Sequence, residues 1–169
     1  WQFIMILTVD IGNTNVFFCI FLKNSIVFHK KLKKKEITLD SVLSILRNFL
    51  NKKLITQVII SSVVPSLNKL FLKLFSKFGI SPIFISEILS DLEIKTNIRD
   101  KKSIGDDRIV NVFHAKNIFK SSVIIVDFGT ATTLDVLNQK GIYDGGVITP
   151  GIEISLFSLN SYTAKLPLV

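Results

Sequence analysis

The chain has 169 residues, 48% of them hydrophobic and 20% charged, which is enough to bury the core of one domain or two small ones and excludes a disordered chain. Asp10 interrupts the first apolar run and Lys23 ends "VFFCIFL", so no run reaches the roughly 18 residues of a membrane helix. No secretory leader is recognisable, and the single cysteine, Cys19, has no internal disulfide partner, so a cytoplasmic location with no membrane contact is expected.

Residues 4–10 read as a buried strand, 15–22 as a second and 26–31 as a third, with "LKNS" at 22–25 as the turn between the last two. The net charge of +8 peaks in "HKKLKKKE" at 29–36. These lysines read as a solvated hairpin and loop, because they are neither interleaved with exposed aromatics nor set on a recognition helix. Nucleic acid is therefore not an expected partner, and the excess charge is left to steer an anionic substrate.

From Thr38, an N-cap, the stripe Leu39, Val42, Leu43, Leu46 and Leu50 predicts a helix. A strand follows at 57–64. Pro65 and Ser66 then open a second helix, lined by Leu67, Leu70, Phe71, Leu74, Phe75 and Phe78 and stopped by Gly79. "SPIFIS" at 81–86 reads as a short strand, 87–102 as loop, and 105–119 as a helix with Ile109, Val112, Phe113 and the stem of Lys116 on one side.

At Ser122 the pattern restarts as strand, broken turn, strand, turn at 138–141 and third strand. Val9-Asp10-Ile11-Gly12-Asn13-Thr14 aligns with Val126-Asp127-Phe128-Gly129-Thr130-Ala131. One D-x-G is a weak signal, whereas two, each in a strand hairpin, are a repeat. Glycine lets the backbone approach an anion, turn N–H groups form an anion-binding concavity, and an Asp at a strand end can hold a cation beside phosphates. The plainer alternative is two hairpins whose Asp residues cap turns.

The duplicated hairpin resembles the actin, sugar-kinase and heat-shock ATPase superfamily. Within it, "DIGNTN" at 10–15, "GDDR" at 105–108, "DFGTATTLDV" at 127–136, "GGVITPGI" at 145–152 and the trailing "SLNSYTAKLP" at 158–167 look like type III pantothenate kinase from Met5 onward. The resemblance implies an α/β fold of duplicated ribonuclease-H-like domains with mixed five-stranded sheets. It divides the chain into 1–119 and 120–169, with the second domain incomplete, and implies a C-terminal truncation and, over Trp1–Ile4, an upstream extension or translated leader. An isolated half-domain would expose core surface, including the face of "ISLFSL" at 154–159, and associate or be poorly soluble.

The implied activity is ATP-dependent phosphorylation of pantothenate to 4'-phosphopantothenate, the first step of coenzyme A biosynthesis, in a homodimer. Asp10, Ile11, Gly12, Asn13, Thr14, Asn15, Val16 and Phe17 fall on the first phosphate loop, with Asp10 beside Mg2+, and Thr130 falls on an ATP contact. Asp127 matches a ligand of a monovalent cation, K+ or NH4+. Gly105, Asp106, Asp107 and Arg108 match the substrate motif, with Asp107 as the base. Neighbours at a helix start point about 100° apart, so only one of the two acids can face a cleft; both could instead complement a helix N-terminus. Arg108 could pair with the substrate carboxylate or hold Asp107. Gly145, Gly146 and Gly151 read equally as a wall of the substrate site or as turn glycines.

The family often has tyrosine and proline where this chain has Ile98 and Lys101, which touches one substrate contact. Cys19, His29 and His114 have no metal or triad spacing. Two other readings share the fold: a regulatory or transcriptional accessory protein, and a kinase acting on a sugar or acetate. The three carboxylates favour the pantothenate kinase.

Overall fold

The computed structural model describes residues 4–167; of the expected extension, Trp1–Phe3 lie outside the described residues. The chain forms two compact units, Trp1–Asp91 with Gly105–Asp107, and Leu92–Ile104 with Arg108–Val169.

The first unit opens with β1 (Met5–Ile11), β2 (Asn15–Leu22) and β3 (Ser25–Lys33), followed by α1 (Leu39–Asn51), β4 (Ile55–Ser62), α2 (Pro65–Ser76) and β5 (Ile83–Phe84). Its sheet runs β3-β2-β1-β4-β5. β1 is antiparallel to β2 and parallel to β4, and β5 is parallel to β4, so this is a mixed five-stranded sheet. Strand alternation puts Leu7, Val9, Ile11, Val16, Phe18, Ile20, Val58 and Ile60 in the core. They cluster with Val42, Leu46 and Leu50 of α1 and Phe71, Leu74 and Phe75 of α2. Thr38 caps α1 through its hydroxyl, which accepts from the Ser41 N–H at 3.1 Å, and Ser41 returns the contact at 2.9 Å. Past α2, Gly79 takes a φ of 70°, the left-handed turn that glycine adopts at least cost.

Several boundaries differ from expectation. β4 ends at Ser62, and the chain turns through Val63 so that Val64 becomes the cap of α2 with Pro65 at its first position. β5 has only two residues: Pro82 offers no N–H to extend the ladder, and the Glu87 carboxylate takes the Phe84 N–H at 3.3 Å as the chain enters a 3-10 turn. β3 runs on to Lys33, opposite Asn15.

The helix α3 (Asp106–Ile118) buries Ile109, Val112 and Ala115, while Phe113, expected on the buried side, is 37% exposed. In the second unit β6 (Val123–Phe128), β7 (Ala131–Leu137) and β8 (Tyr143–Pro150) form an antiparallel meander, and α4 (Ile152–Tyr162) follows. The sequence repeat is a structural repeat. In the first hairpin the Gly12 N–H reaches the Asn15 carbonyl, and in the second the Gly129 N–H reaches the Ala131 carbonyl, each at 3.0 Å. The second turn is one residue shorter, because β7 already begins at Ala131.

Candidate functional site

Within the first unit, Asp10 lies near the C-terminal end of β1, exposed, opposite Phe17 on one side and Ser61 on the other. The buried Ser61 hydroxyl donates to the Asp10 carboxylate at 3.0 Å, which fixes its orientation without covering it. Gly12 starts the turn, where a side chain would press on the Asn15 carbonyl at 3.1 Å. Asn13 and Thr14 are exposed at the tip, and the Thr14 carbonyl accepts the Lys34 N–H at 2.8 Å, tying the loop to the end of β3. Ile11 and Val16 are core residues, so of the expected loop set these two have only backbone to offer a ligand. Phe17 is 45% exposed, and the Lys31 ammonium sits 5.2 Å from its ring centroid. The basic stretch thus does carry an aromatic partner, supplied from the neighbouring strand by register rather than by sequence proximity.

The two adjacent acids part at the start of α3. Asp106 is buried and accepts the Ser62 N–H at 3.3 Å and a backbone N–H of Ser86, so it joins the ends of β4 and β5. Burial pushes its carboxyl above the ordinary value, the two backbone donors pull it back, and the neighbouring Asp107 charge adds a smaller upward push. Asp107 is half-buried. Gly105 clears the way for it: a Cβ there would lie 2.5 Å from the Asp107 Oδ1 and 3.4 Å from Val63.

Within the second unit, Asp127 is exposed near the end of β6 and accepts from the Asn111 amide at 3.1 Å. Thr130 is exposed in the β6–β7 turn, where its carbonyl accepts the Gly151 N–H at 3.0 Å. The Arg108 guanidinium donates through Nε at 2.9 Å and through Nη2 to Oδ1 of Asp135, and the Tyr143 hydroxyl donates to the same oxygen. Asp135 and Tyr143 are both fully buried. A Cβ on Gly146 would meet Arg108 Nη2 and Asp135 Oδ1, each at 2.8 Å, and one on Gly151 would run into the carbonyls of Gly129 and Thr130. Both glycines are thus required by close packing. Ile98 packs its side chain toward Gly145, and Lys101 is exposed.

Sequence reasoning passed over Ser61, Asn111, Asp135 and Tyr143. For Asp135 a signal was available: in "TTLDVL" the alternation puts Thr133, Asp135 and Leu137 on one face, an acid in line with a core leucine. Among the described residues no group of three His, Cys, Asp or Glu side chains is placed to enclose a metal. Asp10 and Asp127, exposed and accepting from the Ser61 hydroxyl and the Asn111 amide respectively, suit hard cations that keep water and share phosphate oxygens rather than ions caged by protein.

Two D-x-G hairpins, the first heading a β3-β2-β1-β4-β5 mixed sheet, define an α/β protein of the actin-like ATPase and sugar-kinase fold. A solved structure of the Aquifex aeolicus Ppx/GppA phosphatase, type II variant, matches 98% of this chain and 58% of that one with a TM-score of 0.50 at 10% identity, a likeness of fold alone. The model of the family described as type III pantothenate kinase matches residues 6–169. The type III pantothenate kinase of Endomicrobium trichonymphae is 40% identical over 179 residues, covering 98% of this chain and 68% of its own. That of Persephonella marina is 38% identical over 174 residues, covering 98% and 67%. The chain belongs to the type III pantothenate kinase family and spans about two thirds of the length of these relatives.

Proposed function

We propose that the protein transfers the γ-phosphoryl group of ATP to the primary hydroxyl of pantothenate, giving 4'-phosphopantothenate and ADP at the entry to coenzyme A biosynthesis. The observation that carries this reading is the division of labour at α3: Asp106 is turned into the fold, and Asp107 is left half-buried with its carboxylate cleared by Gly105. Phosphoryl transfer needs positioning, charge neutralisation and one carboxylate to receive the hydroxyl proton. Asp107 takes that proton as the pantothenate oxygen forms its bond to phosphorus and the bond to the ADP oxygen breaks. In the first unit the Gly12–Thr14 turn offers backbone N–H groups to phosphate oxygens; in the second, Thr130 is the residue matched to an ATP contact of the family. Asp10 is the residue that would hold Mg2+, and Asp127 the one that would hold K+ or NH4+; bound there, these cations neutralise phosphate charge.

A cytoplasmic homodimer acting on pantothenate and ATP completes the reading; among the described residues no helix is long and apolar enough to cross a membrane. The test is a panel of pantothenate, sugars and acetate with ATP, followed by phosphorus NMR of the product. A phosphate monoester on the pantothenate primary alcohol is the expected product. ADP formation that is equally fast without pantothenate, or faster with a sugar or acetate, would contradict the reading.

A further inference from the structure

Strand register lines up a row of side chains across the first sheet. Ser61 of β4 pairs with Asp10 of β1, Asp10 with Phe17 of β2, and Phe17 with Lys31 of β3. Directly paired residues share a face, and on this face the Ser61 hydroxyl donates to Asp10 at 3.0 Å while the Lys31 ammonium lies 5.2 Å from the Phe17 ring centroid. Two residues on, Lys33 pairs with Asn15, where the chain leaves the Gly12–Thr14 turn. Lys33 therefore stands on the same face as Lys31 and closer to that turn.

The lysine between them faces the other way. Lys30 pairs with Phe18, and Phe18 with Val9, both of which are buried in the core on the helix-covered side of the sheet. Neighbours in a basic run are thus sorted by the pleat, and only some of the charge is delivered to the face that carries Asp10.

Lys31 and Asp10 are two strand spacings, about 10 Å, apart, and Lys31 leans inward over the ring between them. The aromatic face holds the ammonium in place without neutralising it. Among the described residues no carboxylate pairs with Lys31 or Lys33, and the nearby Glu36 carboxylate accepts the Lys33 backbone N–H at 3.0 Å. An acid that sits beside phosphates leaves them in need of further positive charge, and an ammonium supplies it as a point charge suited to phosphate oxygens.

We propose that Lys31, held over Phe17 and with Lys33 beside it, is a phosphate-binding residue whose ammonium takes the oxygens of a polyphosphate chain lying along the Asp10–Phe17 row. Taking that chain to be the one of ATP rests on the kinase reading. The cationic subsite itself does not.

The test is calorimetric binding of Mg-ATP and of inorganic triphosphate with Mg2+ to Lys31→Met, Lys33→Met and Lys30→Met, followed by steady-state kinetics. All three lysines are exposed, so their removal leaves the fold intact. Lys31→Met is expected to weaken both ligands about tenfold and Lys33→Met somewhat less. Lys30→Met removes the same charge from the opposite face and should change either affinity by less than about twofold. Lys31→Arg should restore most of the loss. In turnover, Lys31→Met should raise KM for ATP about tenfold and leave that for pantothenate within about twofold. Phe17→Leu should weaken triphosphate binding in the unaltered background and add nothing to Lys31→Met, because the ring acts through the lysine.

Equal losses in Lys30→Met and Lys31→Met would overturn the inference, since the effect would then come from net charge rather than from one face. Triphosphate binding unchanged in Lys31→Met, or absent from the unaltered protein, would overturn it too. Triphosphate affinity that depends on Lys31 in a protein unable to phosphorylate pantothenate would uphold the inference and count against the kinase reading alone.

Discussion

Asp106 and Asp107 are neighbours with different surroundings, the first buried and the second half-buried. Burial holds the Asp106 carboxyl above its ordinary value, so at intermediate pH the folded chain keeps a proton that the unfolded chain releases. Stability from this group is therefore greatest below the unfolded value, declines as pH rises toward the raised folded value, and is fully lost above it. The variant Asp106→Asn should flatten that slope: its urea midpoint relative to the unaltered protein is expected to improve steadily as the pH is raised from about 4. A difference independent of pH would show that the group does not titrate in the folded chain. At Gly105 the expectation is kinetic. The change Gly105→Ala drives a methyl against the Asp107 carboxylate, so kcat should fall about tenfold or more with stability lowered by only about 1–3 kcal/mol, read by paired assays and melts. That the two acids point different ways was legible from helical geometry. Which backbone groups received the other was not, since Ser62 and Ser86 meet Asp106 only in the folded chain.

At the scale of elements, the sequence was most legible where a period ran long. The stripe from Leu39 to Leu50 and its cap at Thr38 stand as read, and Thr38→Ala is expected to cost about 1 kcal/mol in denaturant unfolding, through the lost acceptor for the Ser41 N–H. A full α2 contact is worth more. Phe71 is fully buried and its ring lies 6.1 Å from that of Phe18, so Phe71→Ala should cost about 3–5 kcal/mol. Short or register-dependent features were less legible. β5 shrank to two residues because a proline and a capping glutamate decided its ends. The Lys31–Phe17 contact depends on pairing between β2 and β3, which linear order conceals, and Arg108 found its acid 27 residues away on β7.

At the scale of the whole molecule, the repeat itself makes a contrast. Leu7, Val9 and Ile11 of β1 are buried with α1 and α2, whereas their counterparts in β6, Ile124, Val126 and Phe128, are 65%, 45% and 70% exposed. Ile154, Phe157 and Leu159 of α4 are exposed as well, as the reading of "ISLFSL" anticipated. Apolar surface of this kind drives association. Light scattering should therefore give a mass that rises with concentration, and Phe128→Lys together with Val126→Lys should lower it; a monomer at all concentrations would contradict that expectation.

The family followed from four ordered motifs read as one pattern, while the partners of Asp127 and Arg108 required coordinates. The central claim is that Asp107 receives the pantothenate hydroxyl proton, and pantothenate-dependent ADP release by Asp107→Asn tests it most directly. A loss of about 10²-fold or more in kcat, with pantothenate binding retained, is the expected result. Turnover equal to that of the unaltered protein would contradict it.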